Sequence, residues 1–175
     1  MLFDVLVRVS KFERRRNKEQ RRWQLAEEII TEEMKKAIGV PSEPVTIEIE
    51  KGMIRKFAES IEDPNPLWQD EGYAKKSRYG GIIAPPGLLM GAEMRGSGMG
   101  SSFQLPRPQI LDGGGEWEYI KPIRPGDVLT VVDKLHDLRE REGRMGKMLF
   151  IVTETTWTNQ HGELVARALG TLINY

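Results

Sequence analysis

Between residues 45 and 50 the side chains alternate: Val45, Ile47 and Ile49 against Thr46, Glu48 and Glu50. A period of two with β-branched residues on one face predicts a short, half-buried strand. The period then lengthens. Ile54, Phe57, Ala58 and Ile61 share one face of a helix expected from about Lys51 to Glu62. Upstream, Trp23, Ala26, Ile30, Met34 and Ala37 recur at spacings of three and four, which predicts another helical stripe, stopped by Gly39 and Pro41. The stretch 63–81 is polar and rich in Pro, Asn and Gly, and reads as a long ordered loop with one or two short helical turns. From Pro85 to Met94 the chain is apolar nearly all round, and its prolines suit a helix start, so a central buried helix is expected there. Four strands follow, near 109–120, 128–140, 148–159 and 163–174, separated by turns at 124–127, 142–144 and 159–162. The last three are long and adjacent, so they should form an antiparallel meander. The sum is an α+β fold, a curved sheet wrapped around a helix, over residues 41–175, with an N-terminal helical extension over 1–40.

Composition narrows the chemistry. The chain has 175 residues, 39% hydrophobic and 30% charged, enough for one domain with a core. Lys+Arg and Asp+Glu both number 26, so the excess of positive charge that nucleic-acid binding needs is missing. Basic residues do cluster between Arg8 and Arg22, which reads as a solvated helix face or tail; an anionic surface is the functional alternative. There is no Cys and there are two His, which excludes disulfides, Cys-ligated zinc and thiol chemistry and leaves little for a His-rich metal site. No apolar run is long enough for a membrane-spanning helix. The N-terminus has its apolar residues before its basic ones, the reverse of a secretory signal, so a cytoplasmic protein is expected.

The informative stretch runs from Phe57 to Ala74. It resembles the MaoC-like hydratase/dehydratase family of the hot-dog fold, whose pattern is roughly Ser-Gly-Asp-x-Asn-Pro-Leu/Ile-His-x-Asp-x-x-x-Ala. Asp63, Asn65, Pro66, Leu67, Asp70 and Ala74 match in register. Arg78-Tyr79-Gly80-Gly81-Ile82-Ile83-Ala84 is similar to the family's lead into its central helix, and Pro122, Pro125, Gly126 and Asp127 to its turn before the third strand. The resemblance covers about Glu32 to Tyr175. It implies a hot-dog domain acting on acyl-CoA or acyl-carrier-protein thioesters of fatty acid metabolism. No cofactor or metal is implied, because adding water to an activated enoyl thioester needs only acid–base groups and an oxyanion donor.

Two departures redirect that expectation. In active members the Asp, with a His five residues on, holds and activates a water; here the His position is Trp68. An indole N–H donates a hydrogen bond but accepts no proton, so it is no general base. In active members a Gly N–H at the start of the central helix supports the thioester oxygen; counted from Ala84, that position is Pro86, which has no N–H. Gly87 replaces it only if the helix start shifts by one residue. The chain therefore resembles the dehydratase-like halves that keep the fold and lose the His, to which the Leu111-Asp112-Gly113-Gly114-Gly115-Glu116-Trp117-Glu118 strand is also similar. Such halves are paired with an intact MaoC-like half.

The candidate catalytic residues are Asp63 and Asn65; the candidate substrate-binding residues are Trp68, Ala84, Pro86, Gly87 and Arg124. Each has a structural alternative. Asp63 before Pro64 starts a turn, and Asn65 ties the loop. Trp68 either lines an acyl pocket or fills the space of the missing imidazole. Arg124, with Lys121 and Arg107, is either a contact for CoA phosphates or a solvated strand edge. Asp70 reads as structural, His161 as an exposed turn residue and His136 as a surface residue on a strand. Gly113-Gly114-Gly115 reads as a close backbone approach to the central helix or to a dimer partner. An unpaired sheet edge is a hazard, so a dimer with a continuous sheet is expected, either a homodimer or a heterodimer with a MaoC-like catalytic subunit. Three functions remain open, ahead of a thioesterase, which the fold also supports but the hydratase-like motifs do not favour. One is the assisting subunit of an (R)-specific enoyl-thioester hydratase or 3-hydroxyacyl-thioester dehydratase. The second is a self-sufficient hydro-lyase using Asp63 with another base such as His136. The third is a thioester-binding module without chemistry.

Overall fold

The computed structural model describes residues 28–91, 96, 103–144 and 146–175. The basic run and the Trp23–Ala26 part of the first stripe lie outside the described residues. Its elements are α1 (Glu32–Ala37), β1 (Val45–Glu48), α2 (Lys51–Ser60), a 3-10 turn (Pro66–Trp68), α3 (Glu71–Lys76), a second 3-10 turn (Pro86–Met90), β2 (Ile110–Tyr119), β3 (Val128–Gly143), β4 (Gly146–Thr158) and β5 (Leu164–Asn174). The five strands form one antiparallel sheet in the order β1-β3-β4-β5-β2. The expected meander is therefore present as β3-β4-β5. The architecture is the hot-dog class of α+β fold.

Alternation decides which face of the sheet is buried. Leu129, Val131, Asp133 and Leu135 point inward from β3. Continued strictly, that parity would turn Asp137 inward and Leu138 out. A bulge prevents it: Leu135 pairs with Thr153, Asp137 with Val152 and Leu138 with Ile151, so His136 is the extra residue and Leu138 returns to the core. The inner face carries two apolar clusters. One gathers Leu129, Val131, Trp157, Val165 and Ala166 under Ile54 and Ala58 of α2, Trp68, and the segment Ile82–Leu89. The other gathers Leu135, Leu138, Leu149 and Ile151 under Ile29 and Met34. Asp133, buried between them, accepts a bond from Thr155 Oγ1 at 2.7 Å, and its backbone is bracketed by Ser42.

Three expectations are corrected. The first stripe breaks at Thr31, whose side chain accepts the Met34 N–H and caps α1, so Ile30 precedes the helix and Ile29 takes the buried position. On α2, Ile54 and Ala58 are fully buried, but Ile61 lies past the helix end and is 49% exposed. The segment expected as a central helix is, over its described part, a 3-10 turn from Pro86 to Met90, with Leu88 and Leu89 buried and Met90 exposed. Pro85 and Pro86 supply no N–H, and Gly87 and Gly91 weaken helical propensity, so only one tight turn forms before the chain extends at Gly91. Residues 92–95 lie outside the described residues.

The triple glycine, expected to mark a close backbone approach, packs closely within the sheet. Among the described residues its close approach is to β5. A Cβ on Gly113 would sit 2.9 Å from Thr171 Cγ2, and one on Gly115 only 2.8 Å from the Leu169 carbonyl oxygen. The pairing slips between Asp112 and Gly115, and the bulge bends the strand there.

Candidate functional site

The site begins at the end of α2. The Asp63 N–H bonds back to the Ala58 carbonyl and the Glu62 N–H to that of Glu59, a Schellman closure of the helix. That closure needs a left-handed residue, and Glu62 takes it with φ 53°. The family pattern has Gly at this place. A side chain held in the left-handed region costs about 1–2 kcal/mol, offset in part because glycine loses more entropy on folding. Glu62→Gly is therefore expected to stabilise the protein by about 0.5–1 kcal/mol. The urea midpoint would rise, and an unchanged or lower midpoint would remove the argument.

Asp63 then organises the loop. Its Oδ1 accepts the Asn65 N–H at 3.0 Å, an Asx turn. Asn65 Oδ1 accepts the Leu67 N–H at 3.0 Å and caps the first 3-10 turn, with Pro66 at its first position. That turn brings Trp68 round to Asp63, and the indole Nε1–H donates to Asp63 Oδ2 at 2.9 Å. The rest of the indole is buried in the first core cluster, the whole residue being 8% exposed. Both carboxylate oxygens of Asp63 thus hold donors from its own loop. Asp70 caps α3 by accepting the Tyr73 N–H at 3.0 Å, a structural role.

The segment behind this loop is bonded on both sides. The Ile83 N–H reaches the Leu67 carbonyl at 3.4 Å and the Ala84 N–H that of Ile123 at 2.8 Å. Ala84 is therefore next to the loop, but its N–H is already used. Pro85 and Pro86 have none, so the next N–H along the chain belongs to Gly87. Gly87 packs against α2: a Cβ there would lie 3.2 Å from Phe57 Cζ. Pro86 is exposed. Arg124 is anchored, its Nη2 donating to the Tyr79 carbonyl at 2.6 Å and its N–H to Asp127 Oδ2 at 2.7 Å. It ties the 78–81 loop to the turn before β3. Lys121 pairs with Glu163, and the Arg107 backbone is clamped by buried Asn174.

The two histidines lie away from this loop. His161 is exposed in the β4–β5 turn, where its N–H bonds Asn159 Oδ1. His136 is exposed on the bulge of β3, with Nδ1 3.9 Å from Glu154 Oε2. Lys134 donates to that same carboxylate, which holds the Glu154 carboxyl below its ordinary range. Glu154 is three residues from Trp157 along β4, so it projects from the opposite face of the sheet. Within one chain, His136 and the Asp63 loop are therefore on opposite sides.

Sequence reasoning missed Tyr79 as the anchor of Arg124, and missed the stacking of Trp117 on Trp157 (5.4 Å between centroids) and on Tyr119 (6.2 Å). Alternation alone carries no cross-strand register, so neither had a sequence signal. Among the described residues, no three His, Asp or Glu side chains gather as a metal site requires, and no helix is long and apolar enough to cross a membrane.

Comparison with known proteins fits this frame. The family model described as FAS1-like, dehydratase domain region matches residues 36–168. A UPF0336 protein of Thermobifida fusca is 31% identical over 133 residues, 74% of this chain and 85% of that protein. A probable enoyl-CoA hydratase alpha subunit of Thermomonospora curvata is 26% identical over 142 residues, 70% of this chain but 44% of that protein. Among solved structures, the ChsH1-ChsH2 complex of Mycobacterium tuberculosis contains a similar fold, with a TM-score of 0.64 at 22% identity, covering 77% of this chain and 84% of that one.

Proposed function

The chain belongs to the FAS1-like dehydratase family, as a MaoC-like hot-dog protein, and from that premise we propose that it is the assisting half of an (R)-specific enoyl-thioester hydratase or 3-hydroxyacyl-thioester dehydratase. An intact MaoC-like chain supplies the Asp–His pair, and this chain shapes the acyl site and completes the sheet. The substrate is an acyl-CoA or acyl-carrier-protein thioester.

The observation that carries the reading is the bond from Trp68 Nε1–H to Asp63. Hydration needs a group that takes a proton from water, and a donor-only indole fills the place of the imidazole. The carboxylate that would hold the water is committed to its own loop. Pro86 removes a donor from the oxyanion position, and removing one such donor typically costs about 3–4 kcal/mol in the transition state. Two comparisons support the paired arrangement: one relative is named as an alpha subunit, and one structural neighbour comes from a two-protein complex.

The test is hydration of a short trans-2-enoyl-CoA, followed as loss of enoyl absorbance. The purified chain alone is expected to show no turnover. Co-expression with an intact MaoC-like chain is expected to give a stable one-to-one complex that turns over. Turnover by the chain alone would replace this reading with the self-sufficient one. Thioester binding without turnover in any pairing would reduce the protein to a binding module.

A further inference from the structure

Three arginines of the helices and sheet face a carboxylate: Arg55 faces Glu59, Arg139 faces Asp137 and Arg167 faces Glu118. Arg78 and Arg124 do not. Among the described residues no ion pair reaches either guanidinium, and Tyr79 holds both. Arg78 Nη2 donates to the Tyr79 hydroxyl at 2.6 Å, and its guanidinium lies 4.8 Å from the centre of that ring. Arg124 Nη2 donates to the Tyr79 carbonyl at 2.6 Å. Asp127, three residues on from Arg124, is taken by the Arg124 backbone N–H at 2.7 Å and by the Gln160 amide at 3.4 Å. Two cations therefore sit at the two ends of one residue with no anion between them. Their repulsion is a standing cost that a bound anion removes.

The backbone beside them supplies further donors. Gly80 turns the chain at φ 67°, and its own N–H donates to the Ser77 carbonyl at 3.1 Å. The next two N–H groups, of Gly81 and Ile82, reach no acceptor among the described residues. A Cβ on Gly81 would lie 3.6 Å from Arg124 Nη1, so these amides and that guanidinium share one place. Guanidinium forks, and successive amides beside a left-handed glycine, are the donors that hold a phosphate. The place also relates to the thioester end of the site. The Ala84 N–H bonds the Ile123 carbonyl, which sets Arg124 alongside 81–84. Gly87 carries the first N–H beyond the two prolines. From Gly81 to Gly87 the chain spans at most about 20–22 Å, comparable to the reach of an extended pantetheine arm.

We infer that Arg78 and Arg124, with the Gly81 and Ile82 N–H groups, bind the phosphate that ends the pantetheine arm of the thioester. The inference rests on the thioester reading above and adds where the carrier is held. That phosphate is common to CoA and to the prosthetic arm of an acyl-carrier protein, so the site takes its charge from either.

The purified chain is titrated with pantetheine 4′-phosphate and followed by amide NMR, with pantetheine as the control that lacks the phosphate. The phosphate ester is expected to shift the Gly81 and Ile82 amides and to bind about tenfold more tightly than pantetheine, with the contrast shrinking at high salt. Arg78 is exposed, so Arg78→Gln is expected to keep the urea midpoint and to lose about tenfold in affinity for the phosphate ester. Arg124→Gln is expected to lose more, but it also unties the 78–81 loop from the turn before β3, so the Arg78 variant carries the test. CoA and a phosphopantetheinylated carrier protein are then compared on the same amides. The tighter of the two names the natural carrier, and equal affinities mean that the phosphate alone is read. Equal binding of pantetheine and its phosphate overturns the inference. So does an Arg78→Gln variant that binds the phosphate ester as wild type does, or a shift that leaves Gly81 and Ile82 untouched. Binding alone is read, so turnover by the isolated chain would sink the assisting role without touching this result. A chain blind to the phosphate, in a complex that still turns over, would sink only this site.

Discussion

Trp157→Ala is expected to destabilise the domain by about 3–5 kcal/mol, the range for removing a large buried aromatic side chain. Trp157 is 1% exposed at the centre of the first core cluster, flanked by Val131 on β3 and Ala166 on β5. Its ring stacks on Trp117, which stacks in turn on Tyr119, so the cavity would open under the edge strand as well as under α2. Its neighbours across the strands are small or already packed, so collapse around the hole is limited. Against a typical stability of about 5–15 kcal/mol, this loss leaves a marginal protein. Trp157→Phe keeps a ring on Trp117 and is expected to lose about 1–2 kcal/mol. Urea unfolding of the three proteins measures the series. A loss below about 1 kcal/mol for the alanine variant would mean that this stack is not a centre of the core.

The strands were the most legible part of the chain, for a physical reason. β1 and β3 are half-buried, so burial writes a period of two into their side chains, and Gly, Pro and Asn mark the strand ends; β2 is nearly all exposed and was legible from its flanking turns instead. The bulge at His136 was less visible. It shows only as Leu138 in the wrong parity after Leu135, and its meaning appears once Leu138 is seen opposite Ile151. The segment after Pro85 misled because apolar composition states burial, not helicity. Two prolines and two glycines within seven residues override it. In the site, the replacement of His by Trp68 was legible from register with the family pattern. That the indole turns back to bond Asp63 was not, since it depends on the left-handed Glu62 and the turn capped by Asn65. Local backbone geometry of this kind has no signature in residue type, least of all where Glu stands at a left-handed position.

The Asp63–Trp68 bond is expected to behave as one coupled structural unit. Trp68→Phe keeps much of the ring in the core and removes only the N–H, leaving Asp63 Oδ2 without its partner at 2.9 Å. A hydrogen bond to a charged group is worth about 1.5–3 kcal/mol, and Asp63 is only half-buried, so water recovers part of it. A loss of about 1–2 kcal/mol is expected for this variant, and the smaller ring adds some packing loss. Asp63→Asn weakens the same bond from the other side, because a neutral amide accepts less strongly and presents a donor in one of its two orientations. With both changes in place the bond can be lost only once. The double variant is therefore expected to lose about 1–2 kcal/mol less than the sum of the single variants. Urea midpoints for the four proteins close the cycle. Additive losses would mean that the indole N–H and the carboxylate are neighbours without being coupled. A coupled pair whose removal leaves thioester turnover by the complete complex within the range set by stability alone would place Asp63 in the architecture of the loop. A drop in turnover far beyond the stability loss on Asp63→Asn would return that carboxylate to the chemistry.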